Sequence, residues 1–178
     1  MPPKTRALLE ALEAELGTGA VLTGEAVSES AQGIWRPAPL EALAIARPKD
    51  TREVSFVLRA CFEAGQSVIP QGGLTGLVHG ADTGPEDLIL SLERMNAIEE
   101  IDQAGRTVRV QAGVPLQTLQ ETVAEQGLSF PLDLGARLLL PGRELIHQRW
   151  GQPRAALRHG PGKYPWGGSG AGRWHGHR

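Results

Sequence analysis

The sequence predicts an α+β fold in which helices alternate with short buried strands and a β-hairpin precedes a last helix. Apolar residues recur at helical spacing in three stretches of the chain. Short apolar runs bounded by glycine, proline or polar residues indicate buried strands, and alternation over residues 98–111 indicates a hairpin. Hairpin strands mixed with helices are typical of an α+β fold rather than of a doubly wound parallel sheet.

The first predicted helix carries a leucine stripe near the N-terminus. Leu8, Leu9, Leu12 and Leu16 fall on one face at helical spacing. Gly17 can end this helix, because glycine adopts the left-handed conformation of a helix cap at little cost.

A strand–helix–strand unit is predicted next. Residues 43–46 indicate a strand, and Asp50 or Thr51 can cap the helix that follows it. The apolar stripe of that helix ends at Gly65, and Val-Ile-Pro at 68–70 indicates a second strand. The residues that follow this strand therefore lie at a carboxyl end, where α/β sheets place their ligands.

The remaining elements are a buried strand, a hairpin and a last helix. Leu88–Leu90 indicates the strand, and Ile98–Asp102 with Thr107–Gln111 indicates the hairpin. Pro115 suits the first turn of the last helix, and Gly127 suits its stop.

The stretch from Val68 to Leu77 is the most informative part of the chain. Its sequence is Val-Ile-Pro-Gln-Gly-Gly-Leu-Thr-Gly-Leu. Paired glycines let backbone N–H groups approach a ligand closely, and several such groups around one concavity bind phosphate. The loop is neither a Walker loop nor the dinucleotide fingerprint, because no Gly-Lys-Ser/Thr follows and the glycine spacing differs. Taken alone, the loop fits a phosphate cradle or a glycine-rich turn equally well.

The loop and its flanks resemble the first flavin-binding segment of the FAD-linked oxidases with a PCMH-type domain, the vanillyl-alcohol-oxidase-like superfamily. Within it the chain most resembles the D-2-hydroxyacid dehydrogenase branch, which acts on D-lactate, glycolate and D-2-hydroxyglutarate. The resemblance runs from Leu8 to Arg137. Beyond the loop, its motifs in order are Ala44–Pro48, Leu90–Asn96, Val110–Val114 and Phe130–Arg137. The resemblance implies a PCMH-type domain with a small βαβ subdomain and the start of a larger mixed-sheet subdomain.

This resemblance implies a non-covalently bound FAD and a set of residues that contact it. In the loop, Gly72 and Gly73 let the backbone wrap the pyrophosphate, and the Thr75 hydroxyl can donate to a phosphate oxygen. Asp133 is expected to organise backbone rather than accept a proton. The full expected set is Pro70, Gln71, Gly72, Gly73, Leu74, Thr75, Gly76, Leu77, Pro131, Asp133 and Gly135.

The reaction implied by the resemblance is oxidation of a D-2-hydroxyacid to the 2-oxoacid, with hydride passing from the hydroxyl-bearing carbon to the flavin. The substrate-binding cap of the family corresponds to no position in this chain, so no catalytic residue is assigned. A metal site is not predicted either. His79 is expected to be an exposed loop histidine rather than a base. Trp35 and Arg36 could border the cofactor pocket or anchor a loop.

The bulk composition predicts no special partner. The chain has 178 residues, one cysteine and a net charge of −2. Cys61 falls on the apolar side of a helical pattern, which favours packing over reactivity. No apolar run reaches spanning length and no signal peptide is evident, so a cytoplasmic location is expected. The expected partner is a small 2-hydroxyacid rather than nucleic acid, and the electron acceptor is not indicated.

The composition changes at Arg137. Residues 1–137 carry 11 Lys/Arg and 19 Asp/Glu, whereas residues 138–178 carry 7 and 1. We therefore expect the FAD-binding part to span 1–137, followed by a basic tail rich in glycine, arginine, histidine and tryptophan. Such a tail is typical of a disordered segment or of a nucleic-acid-binding arm.

A frameshift explains the tail better than either. When possible codons are read one base later, Glu144–Gln152 permits Asn-Leu-Ser-Thr-Asn-Ala-Gly-Gly, a family-like segment. Trp150, Trp166 and Trp174 each become glycine, at places where the family has glycine. A one-base slip beside Arg137 would make the tail disordered and leave a truncated chain that binds FAD weakly and has no turnover. Two other functions stay open: a flavin-dependent reductase of cell-wall precursor synthesis, and a nucleic-acid-binding module that uses the tail.

Overall fold

The computed structural model describes residues 1–30, 39–75 and 79–132, together with the backbone of 154–156. Helices and strands alternate along the chain, as the sequence predicts. In order, the elements are α1 (Pro3–Leu16), β1 (Val21–Thr23), α2 (Glu25–Ser28), β2 (Ala44–Ala46), α3 (Thr51–Ala64), β3 (Val68–Gln71), β4 (Leu88–Ser91), β5 (Ile98–Asp102), β6 (Thr107–Val110), α4 (Leu116–Ala124) and β7 (Arg154–Ala156).

The strands form two sheets. The first has the order β1-β2-β4-β3, with β2, β4 and β3 parallel and β1 antiparallel to β2. The second is antiparallel, with the order β5-β6-β7. Helices packed against one mixed and one antiparallel sheet confirm the α+β prediction. Because β2, β4 and β3 run the same way, their carboxyl ends meet at one edge of the first sheet.

The predicted caps set the bounds of α1 and α3. Gly17 follows α1 with φ of 90°, and Gly65 follows α3 in the left-handed conformation with φ of 70°. Asp50 is the N-cap of α3, and its Oδ1 accepts a hydrogen bond from the Glu53 N–H at 2.8 Å. Both helices therefore begin or end where the sequence indicates.

Glu53 is a fully buried carboxylate that fixes the connection between β2 and α3. Its Oε2 accepts a hydrogen bond from the Lys49 N–H at 2.9 Å, and Lys49 Nζ lies 3.1 Å from Oε1 as an ion pair. The chain just after β2 is thereby held against the start of α3. Arg47, two residues before Lys49, belongs to the candidate site described below.

Alternating side chains of the central strands supply two cores. One face of the first sheet packs on α1 and α3, and the other packs on Val27 of α2 through Ile45 and Ile89. A third core lies between the β5–β6 hairpin and α4, built from Val108, Val114, Leu119, Val123 and Leu128. Pro70 stands in β3, an edge strand, where its missing N–H costs no ladder hydrogen bond to a central neighbour.

Some boundaries differ from the predicted ones. Pro115 is the N-cap of α4 rather than part of its first turn, because its ψ of 137° is extended. The helix ends at Ala124, and Gly127 lies three residues later in a turn with φ of 71°. The elements β1 and α2 were not predicted. Within the predicted tail only Arg154–Ala156 is described, as a strand paired with β6.

No helix in the described ranges is both long and apolar enough to cross a membrane. Those ranges also contain no group of three or more His, Cys, Asp or Glu side chains arranged to hold a metal ion.

Cys61 lies inside the buried face of α3, which confirms its predicted packing role. Burial raises the pKa of its thiol from 9.0 to about 11. The thiolate is the reactive form, so we expect Ellman's reagent to label the native protein far more slowly than the unfolded chain at about pH 8. Above about pH 9 only the unfolded thiol ionises, so the free energy of unfolding should fall as pH rises toward 11, by up to about 1.4 kcal/mol per unit. Equal labelling rates in the two states would contradict this prediction.

Candidate functional site

A cavity of about 260 Å³ lies at the carboxyl edge of the parallel strands. Each of the three strands brings a residue to it: Arg47 directly follows β2, Gln71 ends β3, and Ser91 ends β4. A site at the carboxyl ends of parallel strands is the arrangement expected of ligand-binding α/β sheets. The cavity thus lies where the sequence places a ligand, at the end of the strand before the glycine loop.

The glycine loop forms one wall of this cavity. Gln71, Gly72, Gly73 and Leu74 all line it. Leu74 has a φ of 56°, a left-handed conformation that a leucine adopts only where its surroundings impose it. The loop therefore borders an open space, which is where a phosphate cradle would lie.

The other predicted contact residues are not on the cavity wall or lie outside the described residues. Pro70 is exposed on the edge strand, and Thr75 is half-buried beside the lining residues. Pro131 is exposed, and in the chain it follows the residues that form the core between the β5–β6 hairpin and α4. Gly76, Leu77, Asp133 and Gly135 lie outside the described residues, as do Trp35 and Arg36.

His79 is an exposed loop residue, as predicted. Its side chain is 72% exposed, and its Nδ1 lies 3.0 Å from Asp82 Oδ2. It does not line the cavity. A role as a base in this cavity has no support from its position.

Arg47 supplies a positive charge to the cavity wall and is held on several sides. Its Nη1 donates to Glu93 Oε1 at 3.1 Å, and its Nη2 donates to the Gly19 carbonyl. Its Nε is buried and has no hydrogen-bond partner among the described residues. Glu93 also lines the cavity, with 55% of its side chain exposed. Arg47 and Glu93 therefore bring one charge of each sign to the cavity wall.

The segment between β6 and α4 contributes Gly113 and Pro115 to the cavity lining. The Gly113 N–H donates to the Met95 carbonyl at 2.8 Å, where the chain after β6 crosses the chain after β4. A Cβ atom at position 113 would lie 1.8 Å from the Leu92 carbonyl oxygen, so only glycine fits this crossing. The cavity is thus lined by residues at the ends of the parallel strands and by the segment after β6, which cross closely at Gly113.

The sequence predicted that the glycine loop would line the site, but it did not predict the other residues of the cavity. The cavity residues it missed as contacts are Leu22, Ser30, Leu40, Ile45, Arg47, Ser91, Glu93, Asn96, Gly113 and Pro115. A signal was available for three of them, because Arg47, Ser91 and Glu93 end or follow predicted strands. Seven of these ten residues, all except Leu22, Ser30 and Leu40, lie in or directly beside the motifs that carry the family resemblance.

The cavity suits a flavin dinucleotide. Leu22, Leu40 and Ile45 give it an apolar part, whereas Arg47 and the glycine backbone give it a polar part. FAD combines flat rings with a diphosphate, and a ligand of that kind needs both surfaces. Gln71 to Leu74 line the cavity, which is where the family resemblance places the diphosphate.

Comparison with known families matches residues 42–138 to the FAD binding domain. This range is more than half of the 178 residues. The chain belongs to the FAD binding domain family. FAD is therefore the cofactor of this domain, which confirms what the resemblance implied.

Curated relatives of this FAD binding domain include dehydrogenases. It is 43% identical over 103 residues to a D-2-hydroxyglutarate dehydrogenase of Xanthomonas citri pv. viticola, covering 58% of this chain and 21% of the relative. It is 40% identical over 91 residues to a putative mitochondrial D-lactate dehydrogenase of Schizosaccharomyces pombe, covering 51% of this chain and 17% of the relative. The chain thus spans about a fifth of the length of these relatives.

Solved structures share the fold of this FAD binding domain. Alkyldihydroxyacetonephosphate synthase superposes with a TM-score of 0.70 at 15% identity, over 82% of this chain and 31% of that protein. p-Cresol methylhydroxylase superposes with a TM-score of 0.62 at 18% identity, over 75% of this chain and 27% of that protein. At such identities the likeness concerns the fold alone. It confirms the predicted PCMH-type architecture.

Proposed function

We propose that this FAD binding domain holds the diphosphate of FAD on the backbone of Gln71–Leu74 and serves an oxidoreductase that converts a D-2-hydroxyacid to the 2-oxoacid. One observation carries the flavin part of this proposal: the glycine loop at the end of β3 lines the cavity at the carboxyl edge of the parallel strands. The relatives named for D-2-hydroxyglutarate and D-lactate support the substrate class.

The described residues account for binding and orientation rather than for proton transfer. When bound, FAD would supply the acceptor for the hydride of the substrate carbon. The N–H groups of the loop would meet the phosphate charge, and the segment around Gly113 would complete the lining. Pro70, Thr75, Gly76, Leu77, Pro131, Asp133 and Gly135 stay proposed contacts on the strength of the family resemblance.

The comparisons do not favour the two alternative functions. The relatives reported above are named as dehydrogenases and not as reductases of cell-wall precursor synthesis. The nucleic-acid alternative depends on the basic tail, of which the structure describes only the backbone of 154–156. A cytoplasmic location stays a proposal, since some relatives are named as mitochondrial.

The domain boundary at Arg137 is part of the proposal. The family match ends at residue 138, next to the point where the composition changes. A one-base frameshift there would explain both the end of the family match and the change of composition. Sequencing the genomic DNA through this point tests the idea; an intact frame that encodes the same basic tail in a related strain would refute it.

Flavin binding is tested by titrating FAD with the full 178-residue chain and recording flavin fluorescence. We expect a saturable change that ADP competes away, because the loop holds the diphosphate that FAD and ADP share. Riboflavin lacks phosphate and should bind much more weakly. Equal affinity for FAD and riboflavin would contradict a phosphate site, and no response to FAD would contradict the flavin assignment for this chain.

A test of the substrate class requires a protein longer than this chain. Residues 42–132 can replace the corresponding segment of the Xanthomonas D-2-hydroxyglutarate dehydrogenase, a relative that shares 43% identity over 103 residues. We expect the chimera to retain FAD and to reduce a dye with D-2-hydroxyglutarate but not with the L-isomer. A chimera that folds, binds FAD and shows no D-hydroxyacid turnover would argue that this segment serves another reaction.

A further inference from the structure

The stretch that follows β4 brings hydrogen-bond acceptors to the cavity. Ser91 ends β4, Glu93 and Asn96 come shortly after it, and all three line the cavity. Their side chains carry a hydroxyl, a carboxylate and a carboxamide, and each of these groups has oxygen that accepts hydrogen bonds. A carboxylate repels a diphosphate, because both are negative. This part of the lining therefore suits a portion of the ligand that donates hydrogen bonds.

Glu93 retains acceptor capacity beyond its ion pair. Its side chain is 55% exposed, and its Oε1 accepts a hydrogen bond from Arg47 Nη1 at 3.1 Å. A carboxylate can accept about four hydrogen bonds on its two oxygens. Arg47 therefore holds the Glu93 side chain at the cavity wall and still leaves it able to accept from a ligand.

The size of the cavity limits which part of FAD it can take. Its volume of about 260 Å³ is below the roughly 300–1,000 Å³ of pockets that enclose a whole ligand. The diphosphate of FAD is joined on one side to a ribityl chain and on the other to a ribose, and both carry hydroxyl groups. A hydroxyl group donates to a carboxylate, as the ribose of a dinucleotide does to an acidic side chain in Rossmann folds.

We propose that Glu93 is a specificity-determining residue of the FAD site, which accepts hydrogen bonds from the hydroxyl groups next to the diphosphate. These hydroxyl groups belong to the ribityl chain or to the ribose. The inference rests on the proposed flavin function. It gives the carboxylate a task that neither Arg47 nor the glycine loop can perform, because both offer hydrogen-bond donors.

The test compares each of two ligands with a form that lacks hydroxyl groups, using the full 178-residue chain. ADP is compared with 2′,3′-dideoxy-ADP for the ribose. FAD is compared with 4′-deoxy-FAD, which lacks the ribityl hydroxyl next to the phosphate. The Kd values are measured by titration. We expect at least one deoxy ligand to bind about tenfold more weakly than its parent, and the pair that differs identifies the bound chain.

Two substitutions of Glu93 then locate the source of the difference. Glu93→Leu removes the acceptors, whereas Glu93→Gln keeps an acceptor oxygen without the charge. Parent and deoxy ligand carry the same diphosphate, so the ratio of their Kd values is insensitive to the change of charge. We expect this ratio to fall to about one in Glu93→Leu and to remain above one in Glu93→Gln. Because the side chain is largely exposed, both variants should fold.

Glu100→Leu is the matched control. The Glu100 Oε2 lies 2.8 Å from Arg109 Nη2, and the Glu100 side chain is 48% exposed, so it too is an exposed carboxylate paired with an arginine. Glu100 does not line the cavity. Its substitution should leave both ratios of Kd values as they are in the unsubstituted chain.

A ratio of about one for both ligand pairs in the unsubstituted chain would overturn the inference, and so would an unchanged ratio in Glu93→Leu. An equal fall of the ratio in Glu100→Leu would overturn it as well, because the effect would then not depend on the cavity. A chain that binds neither FAD nor ADP would defeat the proposed function and this inference with it. Normal FAD binding without discrimination against the deoxy ligands defeats this inference alone.

Discussion

Gly113→Ala is expected to lower the free energy of unfolding by about 3 kcal/mol or more. The added Cβ would lie 1.8 Å from the Leu92 carbonyl oxygen and 3.0 Å from the Met95 carbonyl oxygen. Both neighbours are backbone, so no flexible side chain can move aside to accept the methyl group. Either the hydrogen bond from Gly113 to Met95 breaks or the chain after β4 shifts.

Gly84→Ala is the control for the general effect of replacing glycine. A Cβ there meets only Asp87 Oδ2 at 3.7 Å, which is ordinary contact. Its effect should stay within about 1 kcal/mol, in either direction. Urea unfolding followed by circular dichroism measures both variants, and equal stabilities would show that the crossing at Gly113 tolerates a side chain.

The backbone crossing at Gly113 also links the stability of the fold to the geometry of the cavity. The segment that Gly113 touches carries Glu93 and Asn96, which also line the cavity. A shift of this segment would therefore change the width of the cavity as well as the packing of the two sheets. We expect any Gly113→Ala protein that folds to bind FAD more weakly.

Residue types and local periodicity predicted most elements of the fold. Asp50, Gly17 and Gly65 mark helix bounds because capping depends on neighbours within a few residues. By contrast, β1 has three residues and α2 has four, which is too short to give a recognisable period. Pro115 shows the limit of such signals, since a proline with extended ψ precedes a helix rather than joining it.

The site residues that the sequence did not predict depend on pairing between strands that are far apart in the chain. The strand β4 inserts between β2 and β3, so residues after all three strands meet at one edge. Nothing local to Arg47 or Ser91 indicates that neighbour relation. Gly113 is similar, because its need for glycine comes from Leu92, which is 21 positions earlier in the chain. The glycine loop was predicted because its own residue types determine what it can bind.

Arg47→Met is expected to weaken FAD binding about tenfold, which corresponds to about 1.4 kcal/mol. Within the described part of the chain, Arg47 is the only Lys or Arg that lines the cavity, and it is paired with Glu93 at 3.1 Å. Removing it leaves the Glu93 carboxylate facing the negative diphosphate without compensation. The dependence of affinity on salt should also become weaker or reverse in sign.

Arg52→Met is the matched control for losing an arginine and an ion pair. Its Nη1 lies 2.6 Å from Glu15 Oε1 between α3 and α1, away from the cavity. We expect FAD affinity to be unchanged in this variant. A similar loss in both variants would indicate that the total charge of the chain, rather than the position of Arg47, governs binding.

Glu93→Gln and the double variant separate two roles for Arg47. If Arg47 attracts the phosphates directly, Glu93→Gln should tighten FAD binding, and the double variant should remain weaker than Glu93→Gln alone. If Arg47 only neutralises Glu93, the double variant should bind FAD as the unsubstituted chain does. The coupling energy between the two substitutions should then equal the whole loss of binding free energy seen in Arg47→Met. We expect the first result, because Arg47 lies directly after β2 at the same carboxyl edge as the glycine loop. Full recovery in the double variant would assign Arg47 to charge balance and leave the diphosphate to the backbone of the loop.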